Sequence, residues 1–284
     1  MIENEMSASK NSYIKAAIVY DFDGTLAEGN CAEHGLLPEL GVTDIDGFWK
    51  KVTEETKSRD ADGILTYMGM LALQARIKGK RDHLKPEKLK SHGKTIPLFP
   101  GVESWFRRIN NYALEQNIEL EHYIVSSGLE EMILGTSIAK EFKRIFGCKY
   151  HYDKSTGYVK WPAVAINYTT KTQYIFRINK GVLNCYDDTK VNEYIEHRQR
   201  SVPFEHMIYL GDGDTDIPCM RLVKEQGGCS IAVFDERRCP LCHHSCPSGN
   251  LKFQNGIPRG QERVRDGISE GEKGSGAEKD ASTE

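Results

Sequence analysis

Five short apolar runs rich in β-branched and aromatic residues limit what this chain can fold into: Ala16 to Tyr20, His122 to Val125, Cys148 to Tyr152, Met207 to Leu210 and Ser230 to Phe234. Amphipathic stretches separate them, and strands alternating with helices imply an α/β class, a Rossmann-like parallel sheet flanked by helices. Gly101 to Gln116 reads as one flanking helix, with Trp105, Phe106 and Ile109 facing inward behind Pro100-Gly101. Leu129 to Ile145 reads as another. There Leu129, Met132, Ile133, Ala139, Phe142 and Ile145 approximate one apolar face and leave Glu131, Lys140 and Lys143 for solvent.

The stretch Glu28 to Pro97 carries no convincing strand but has helical segments at Phe48 to Thr56 and Ile64 to Ile77. Its length far exceeds an ordinary βα loop and predicts an inserted α-helical cap. Gly157 to Ala165 reads as the return arm of a β-hairpin, and beyond about Glu236 the periodicity dissolves. Gly267 to Glu284 is too polar to offset the entropy of ordering. The expected organisation is therefore a core over 13–27 and 98–235, a helical cap over 28–97, and a disordered or divergent Cys-containing tail over 236–284.

With 284 residues, 39% of them hydrophobic, the chain can bury one sizeable core and a smaller accessory unit. A net charge of -3 provides no electrostatic footprint for nucleic acid or an anionic membrane, so small molecules are the expected partners. Met1 to Lys15 lacks the apolar stretch of a signal peptide, and no later run approaches the roughly 20 apolar residues of a membrane span. A cytoplasmic location is the resulting expectation. Cys31, Cys148, Cys185, Cys219 and Cys229 are scattered and read as reduced thiols. Cys239, Cys242, His243, His244 and Cys246 invite a zinc reading, but structural zinc sites draw ligand pairs from separated knuckles, and these five fit within eight positions. A Cys-rich tail without a bound ion is the preferred reading.

The chemistry gathers where the strands end. The first run opens into Asp21-Phe22-Asp23-Gly24-Thr25-Leu26, two carboxylates two residues apart on the same side of the chain, followed by a glycine that permits a sharp turn. The fourth run ends in Gly211-Asp212-Gly213-Asp214-Thr215-Asp216. A parallel sheet places its ligand sites at this carboxyl edge. Buried carboxylates gathered there repel each other unless a cation neutralises them, and oxygen ligands of this kind suit Mg²⁺ together with a substrate phosphate. The second run ends in Ser126-Ser127-Gly128, a small hydroxyl and backbone amides at an expected helix start, suited to phosphate oxygens.

On these motifs the chain resembles the haloacid dehalogenase superfamily of phosphohydrolases, and more closely the phosphoserine-phosphatase-like branch with a helical cap inserted after the first motif. Asp-Phe-Asp-Gly-Thr resembles its first motif, Ser126 its second and Gly-Asp-Gly-x-x-Asp its fourth, over roughly Tyr13 to Asp235. The resemblance implies a core with a mobile cap, Asp21 as nucleophile, and Asp23 as the acid and base that protonates the leaving oxygen and then activates water. It implies Mg²⁺ held by Asp21, the Asp23 carbonyl and Asp212, with Asp216 acting directly or through water. Asp214 is not required to be acidic and reads as a turn residue.

The third motif requires a lysine. Lys171 opens an apparent helix that Gly181 could end, whereas Lys180 sits in a Lys-Gly pair resembling that motif in phosphoserine phosphatases but at the helix's far end. Position favours Lys171; either alone reads equally as a surface lysine. Glu28, Asn30, Tyr67, Met68 and Arg76 are candidate substrate contacts, with Tyr67 and Met68 more readily read as cap core. The expected reaction is Mg²⁺-dependent hydrolysis of a small organic phosphate monoester, a small phosphorylated metabolite, through an aspartyl-phosphate. The alternatives are a phosphomutase on the same scaffold and a non-catalytic binding or regulatory relative.

Overall fold

The computed structural model describes residues 13–234 together with the backbone of Lys252–Asn255. In chain order, β1 (Ile14–Tyr20) leads to α1 (Leu36–Glu39), α2 (Ile45–Ser58), α3 (Gly63–Ile77), α4 (Pro86–Gly93) and α5 (Val102–Glu115). Next come β2 (Ile118–Leu129), α6 (Glu130–Ile133), β3 (Arg144–Tyr152), β4 (Val159–Val164), α7 (Thr170–Lys180) and α8 (Asp188–Asn192). β5 (Met207–Gly211), α9 (Ile217–Glu225), β6 (Cys229–Phe234) and β7 (Lys252–Asn255) complete the described elements. No helix among the described residues is long and apolar enough to cross a membrane.

The seven strands form one sheet in the order β4-β3-β2-β1-β5-β6-β7. β3, β2, β1, β5 and β6 run parallel, and antiparallel β4 and β7 close the two edges. β1 lies at the centre with a neighbour on each side, which explains the near-continuous apolar Ala17-Ile18-Val19-Tyr20 buried there. Register sets the site: Tyr20 lies opposite Ile124 on β2 and Leu210 on β5. Asp21, Val125 and Gly211, the next residues on the three strands, therefore lie side by side toward the carboxyl edge.

The segment between β1 and α5 is helical. Asp44 caps α2 by accepting from the Gly47 amide (2.9 Å), and Asp62 caps α3 by accepting from the Leu65 amide (2.9 Å). The apolar face of α3 buries Tyr67, Met68, Leu71 and Ala75. Three polar contacts tie this helix to the sheet side of the molecule. Tyr67 donates to the Ser127 carbonyl (3.1 Å), Tyr150 donates to the Met68 carbonyl (2.7 Å), and the Asn167 amide donates to Asp62.

The expected helix from Leu129 to Ile145 does not form. β2 continues to Leu129, α6 lasts four residues, a 3-10 turn follows at Ala139–Glu141, and β3 begins at Arg144. The apolar residues that approximate one helical face serve several elements instead. Gly135 passes so close to α4 that an added Cβ would sit 2.0 Å from the Lys90 carbonyl oxygen, and Ile145 and Phe146 bury within the sheet. Glu131, expected in solvent, accepts a hydrogen bond from the Tyr152 hydroxyl (2.9 Å). In the tail, Lys252–Asn255 adds a strand to β6, with Phe253 opposite Val233. Four residues are too few to show a period in the sequence. The Cys239 to Cys246 cluster lies outside the described residues.

Candidate active site

Asp21 leaves the centre of the sheet with its amide donating to the Leu210 carbonyl (2.8 Å), which fixes the end of β1 against β5. The turn that follows is closed by the Gly24 amide, which donates to the Ala27 carbonyl (2.8 Å). Gly24 has φ +76°, and a Cβ there would meet Asp212 Oδ2 at 2.2 Å. Only glycine permits both the left-handed turn and the approach of the two acidic loops. At Gly211 the constraint is space: a Cβ would lie 2.5 Å from Asp216 Cγ.

Around this junction, Asp21, Asp212 and Asp216 bring ligand oxygens within 4.8 Å of one another. Lys171, fully buried in the first turn of α7, places Nζ 2.9 Å from Asp21 Oδ2 and 2.7 Å from Asp216 Oδ1. Asp216 is also fully buried and accepts from the Tyr209 hydroxyl (2.7 Å) and the Gly213 amide (3.1 Å). With its donors supplied by the protein, Asp216 acts here as the brace that orients Lys171. Asp212 is the solvent-facing member and accepts from Thr25 Oγ1 (3.0 Å).

The electrostatics follow from three carboxylates sharing one ammonium. Burial pushes Asp21 well above the usual carboxylate range; Asp216 and Asp212 push the same way, and Lys171 only partly opposes them. Burial also pushes Asp23 up, to about 7, against the hydrogen bond from the Cys31 amide (2.9 Å) to its Oδ1. Although one side of Asp212 faces solvent, surrounding protein displaces much of the water near its carboxylate and, with Asp216, raises it to about 6. Burial alone would lower the Lys171 ammonium; Asp21 and Asp216 overcome this and hold it above its ordinary value. The cluster thus carries more negative charge than it neutralises. Its hard oxygen donors and spacing fit a divalent cation such as Mg²⁺.

Ser126 is buried at the end of β2, where its Oγ accepts from the Gly128 amide (3.0 Å). Ser126, Ser127 and Gly128 lie in the strand rather than at a helix start, and the helix beyond them is only four residues long. The Gly128 amide is engaged, so the open hydrogen-bonding capacity lies elsewhere: Ser127 Oγ is buried without a protein partner. Asn30, a sequence candidate for substrate contact, instead caps the short turn Cys31–Glu33 by accepting from the Ala32 amide (2.9 Å). Glu28 lies at the junction with the helical segment, its amide donating to the Pro97 carbonyl (3.0 Å).

Two candidates fall away from this cluster. Lys180 ends α7, and its Nζ donates to the Val191 and Glu193 carbonyls (2.7 and 2.6 Å). Arg76 belongs to the last turn of α3 and lines a separate cleft against β4. Conversely, Tyr209 and the Cys31 amide are site partners that the sequence reading did not single out. Tyr209 sits in a run that reads only as apolar strand, and the one available signal was its odd-even position two residues before Gly211.

The chain is similar to several known proteins. An uncharacterized protein of Borreliella burgdorferi is 29% identical over 229 residues, covering 73% of this chain and 78% of its own. A HAD family hydrolase from Salmonella enterica serovar Typhi overlays with a TM-score of 0.49 at 17% identity, covering 75% of this chain, which spans 60% of that structure's length. A phospho-aspartyl intermediate analogue of phosphoserine phosphatase overlays with a TM-score of 0.47 at 19% identity, covering 77% and 86% of the two chains. The family model described as Putative Phosphatase matches residues 16–237, well over half of the sequence. The chain belongs to that family of putative phosphatases, in agreement with the haloacid dehalogenase resemblance carried by its motifs.

Proposed function

We propose that the protein is a Mg²⁺-dependent phosphatase that hydrolyses a small organic phosphate monoester through an aspartyl-phosphate on Asp21. The observation that carries this reading is the Lys171 ammonium lodged between Asp21 and Asp216 at the carboxyl edge of the sheet, with Asp23 and Asp212 beside it. Asp21, the Asp23 carbonyl and Asp212 would hold the ion, with Asp216 supporting the shell. When bound, Mg²⁺ supplies charge neutralisation for the nucleophile and the phosphoryl oxygens.

The chain's own residues do the rest. Asp21 Oδ attacks phosphorus, forming the acyl phosphate bond as the bond to the ester oxygen breaks, and Asp23 delivers its proton to that leaving oxygen. A side chain held near 7 is suited to this exchange, because it is protonated for the first step and can recover the proton from water in the second. Lys171 stands where charge accumulates on the transferring group, and the unpaired Ser127 hydroxyl and Ser126 offer hydrogen bonds to its oxygens. In this reading 28–97 acts as a cap on a core formed by 13–27 and 98–235. The Cys31 amide on Asp23 and the Tyr67 hydroxyl on the Ser127 carbonyl are its points of contact with the site.

The test is a screen of phosphate monoesters with Mg²⁺, followed by trapping. Parent protein mixed with a ³²P-labelled substrate and quenched in acid should carry a label that hydroxylamine removes, as an acyl phosphate requires. Asp21→Asn should fold, carry no label and lose roughly 10³-fold or more in kcat. An Asp21→Asn variant that keeps activity within tenfold of the parent sinks the assignment.

A further inference from the structure

A separate cleft lies further along α3. Between the carboxyl-terminal half of that helix, the turn Arg81–Leu84 and the edge strand β4 is a cleft of about 370 Å³. That volume falls within the range of small-molecule sites. Tyr67 meets Ser127 near the start of α3, whereas Arg76 is nine residues further along, about 13 Å at the helical rise. The cleft is therefore distinct from the carboxylate cluster.

Its lining combines two kinds of chemistry. Arg76, Arg81 and Lys160 supply three cations, and no carboxylate lines the cleft. Lys160 pairs with Asp153 (2.8 Å), and the Arg81 guanidinium lies 4.2 Å from the Tyr158 ring centroid. Among the described residues neither Arg76 nor Arg81 has an acidic partner, so two guanidinium groups keep their hydrogen-bonding edges for an anion. Trp161 is the other component. One face stacks on His151, centroids 4.2 Å apart and planes 5° from parallel, and the side chain remains 53% exposed. An indole backed on one side and open on the other is a stacking platform of fixed orientation.

We infer that this cleft binds a nucleoside phosphate, with the base stacked on Trp161 and the phosphate held by Arg76 and Arg81. A planar aromatic group alone would leave the guanidinium pair unmatched, and inorganic phosphate alone would leave the indole exposed. A mononucleotide carries both groups in one small molecule, and a cleft of about 370 Å³ is in the size range of small-molecule sites.

Isothermal titration of the full chain with AMP in Mg²⁺-free buffer tests this. Parent protein should show saturable one-site binding, with adenosine and inorganic phosphate each at least about tenfold weaker. Trp161→Ala should weaken AMP about fivefold or more, the factor expected from losing one stacked base, and Trp161→Phe should recover most of it. Arg81→Glu should weaken it similarly, while Asp21→Asn leaves it intact. Trp161 and Arg81 are exposed side chains, so circular dichroism melts of these variants should match the parent. The inference is overturned if the parent shows no saturable binding or if both cleft substitutions leave the affinity unchanged. It is also overturned if binding disappears in Asp21→Asn, which would place AMP at the carboxylate cluster.

Discussion

The two ends of α7 carry lysines in opposite circumstances. Lys180, in the last turn, is where a cation is most comfortable: it complements the helix dipole and binds the Val191 and Glu193 carbonyls. With Arg177, which donates to the Asn184, Cys185 and Asp187 carbonyls, it ties down the loop beyond the helix. Lys171 is in the worst place. It stands in the first turn, where the dipole repels a cation, and it is fully buried, which disfavours its charge. Among the described residues, its ion-pair partners are Asp21 and Asp216, from the loops that follow β1 and β5, and these offset the cost. A charged group held against both helix and solvent preferences marks a site shaped by function, whereas one that satisfies both preferences marks a structural tie.

The largest expected effect that separates the two ends is on turnover. Lys171→Ala should lower kcat by ~10²–10³-fold, the scale of removing one transition-state charge partner. Lys180→Ala should leave kcat within about threefold and instead lower the stability of the 182–193 loop by ~1 kcal/mol, read from denaturant melts. The reverse ranking in kcat would move the phosphate-facing lysine to the far end of the helix. A finer cut removes only the brace. Tyr209→Phe deletes the hydroxyl that holds Asp216 and should cost about tenfold in kcat with little change in KM, since it acts through Asp216 and Lys171 rather than on substrate. An unchanged kcat would mean that Asp216 holds its position without it.

The smallest effect concerns the excess negative charge that distinguishes this end of α7. Asp23 is raised to about 7 and Asp212 to about 6 in the folded protein, both above their unfolded values near 4. Between those limits the native state holds protons that the unfolded chain has released, so these groups make stability fall as pH rises from about 4 to about 7. In EDTA the melting temperature of the parent should decline across this window, and Asp23→Asn should flatten the decline. Adding Mg²⁺ at pH 7.5 should restore stability by binding the ionised cluster. A parent and an Asp23→Asn variant with identical profiles would refute the coupling.

Local signals located the strands and acidic loops because they are short-range. Alternation and β-branching marked β1, β5 and β6 to within a few residues, and Gly181, with φ +73°, ends α7 where the sequence placed a helix stop. The same periodicity misled at Leu129 to Ile145, where residues spaced like one helical face belong to the end of β2, to α6, to a turn and to the start of β3. Hydrophobic spacing records that a residue is buried, but not which neighbour buries it. Arg76 illustrates the same limit among the candidate substrate contacts: a cation on a cap helix reads as facing the substrate, and the direction of α3 carries it to a different cleft.

By itself, then, the sequence determined the α/β class, the two acidic loops at strand ends, and the glycines that let those loops close. Each depends on residues near one another in the chain, within reach of rules for turns and strands. Tertiary structure decided that Lys171 faces Asp21, that Tyr209 and the Cys31 amide complete the partners of Asp216 and Asp23, and that Asn30 serves a turn. These depend on strand register and on the direction of α7 across the sheet, which join groups up to 195 positions apart, from Asp21 to Asp216. Such contacts arise only when the whole sheet has formed, because no local preference encodes which distant carboxylate will meet a buried charge.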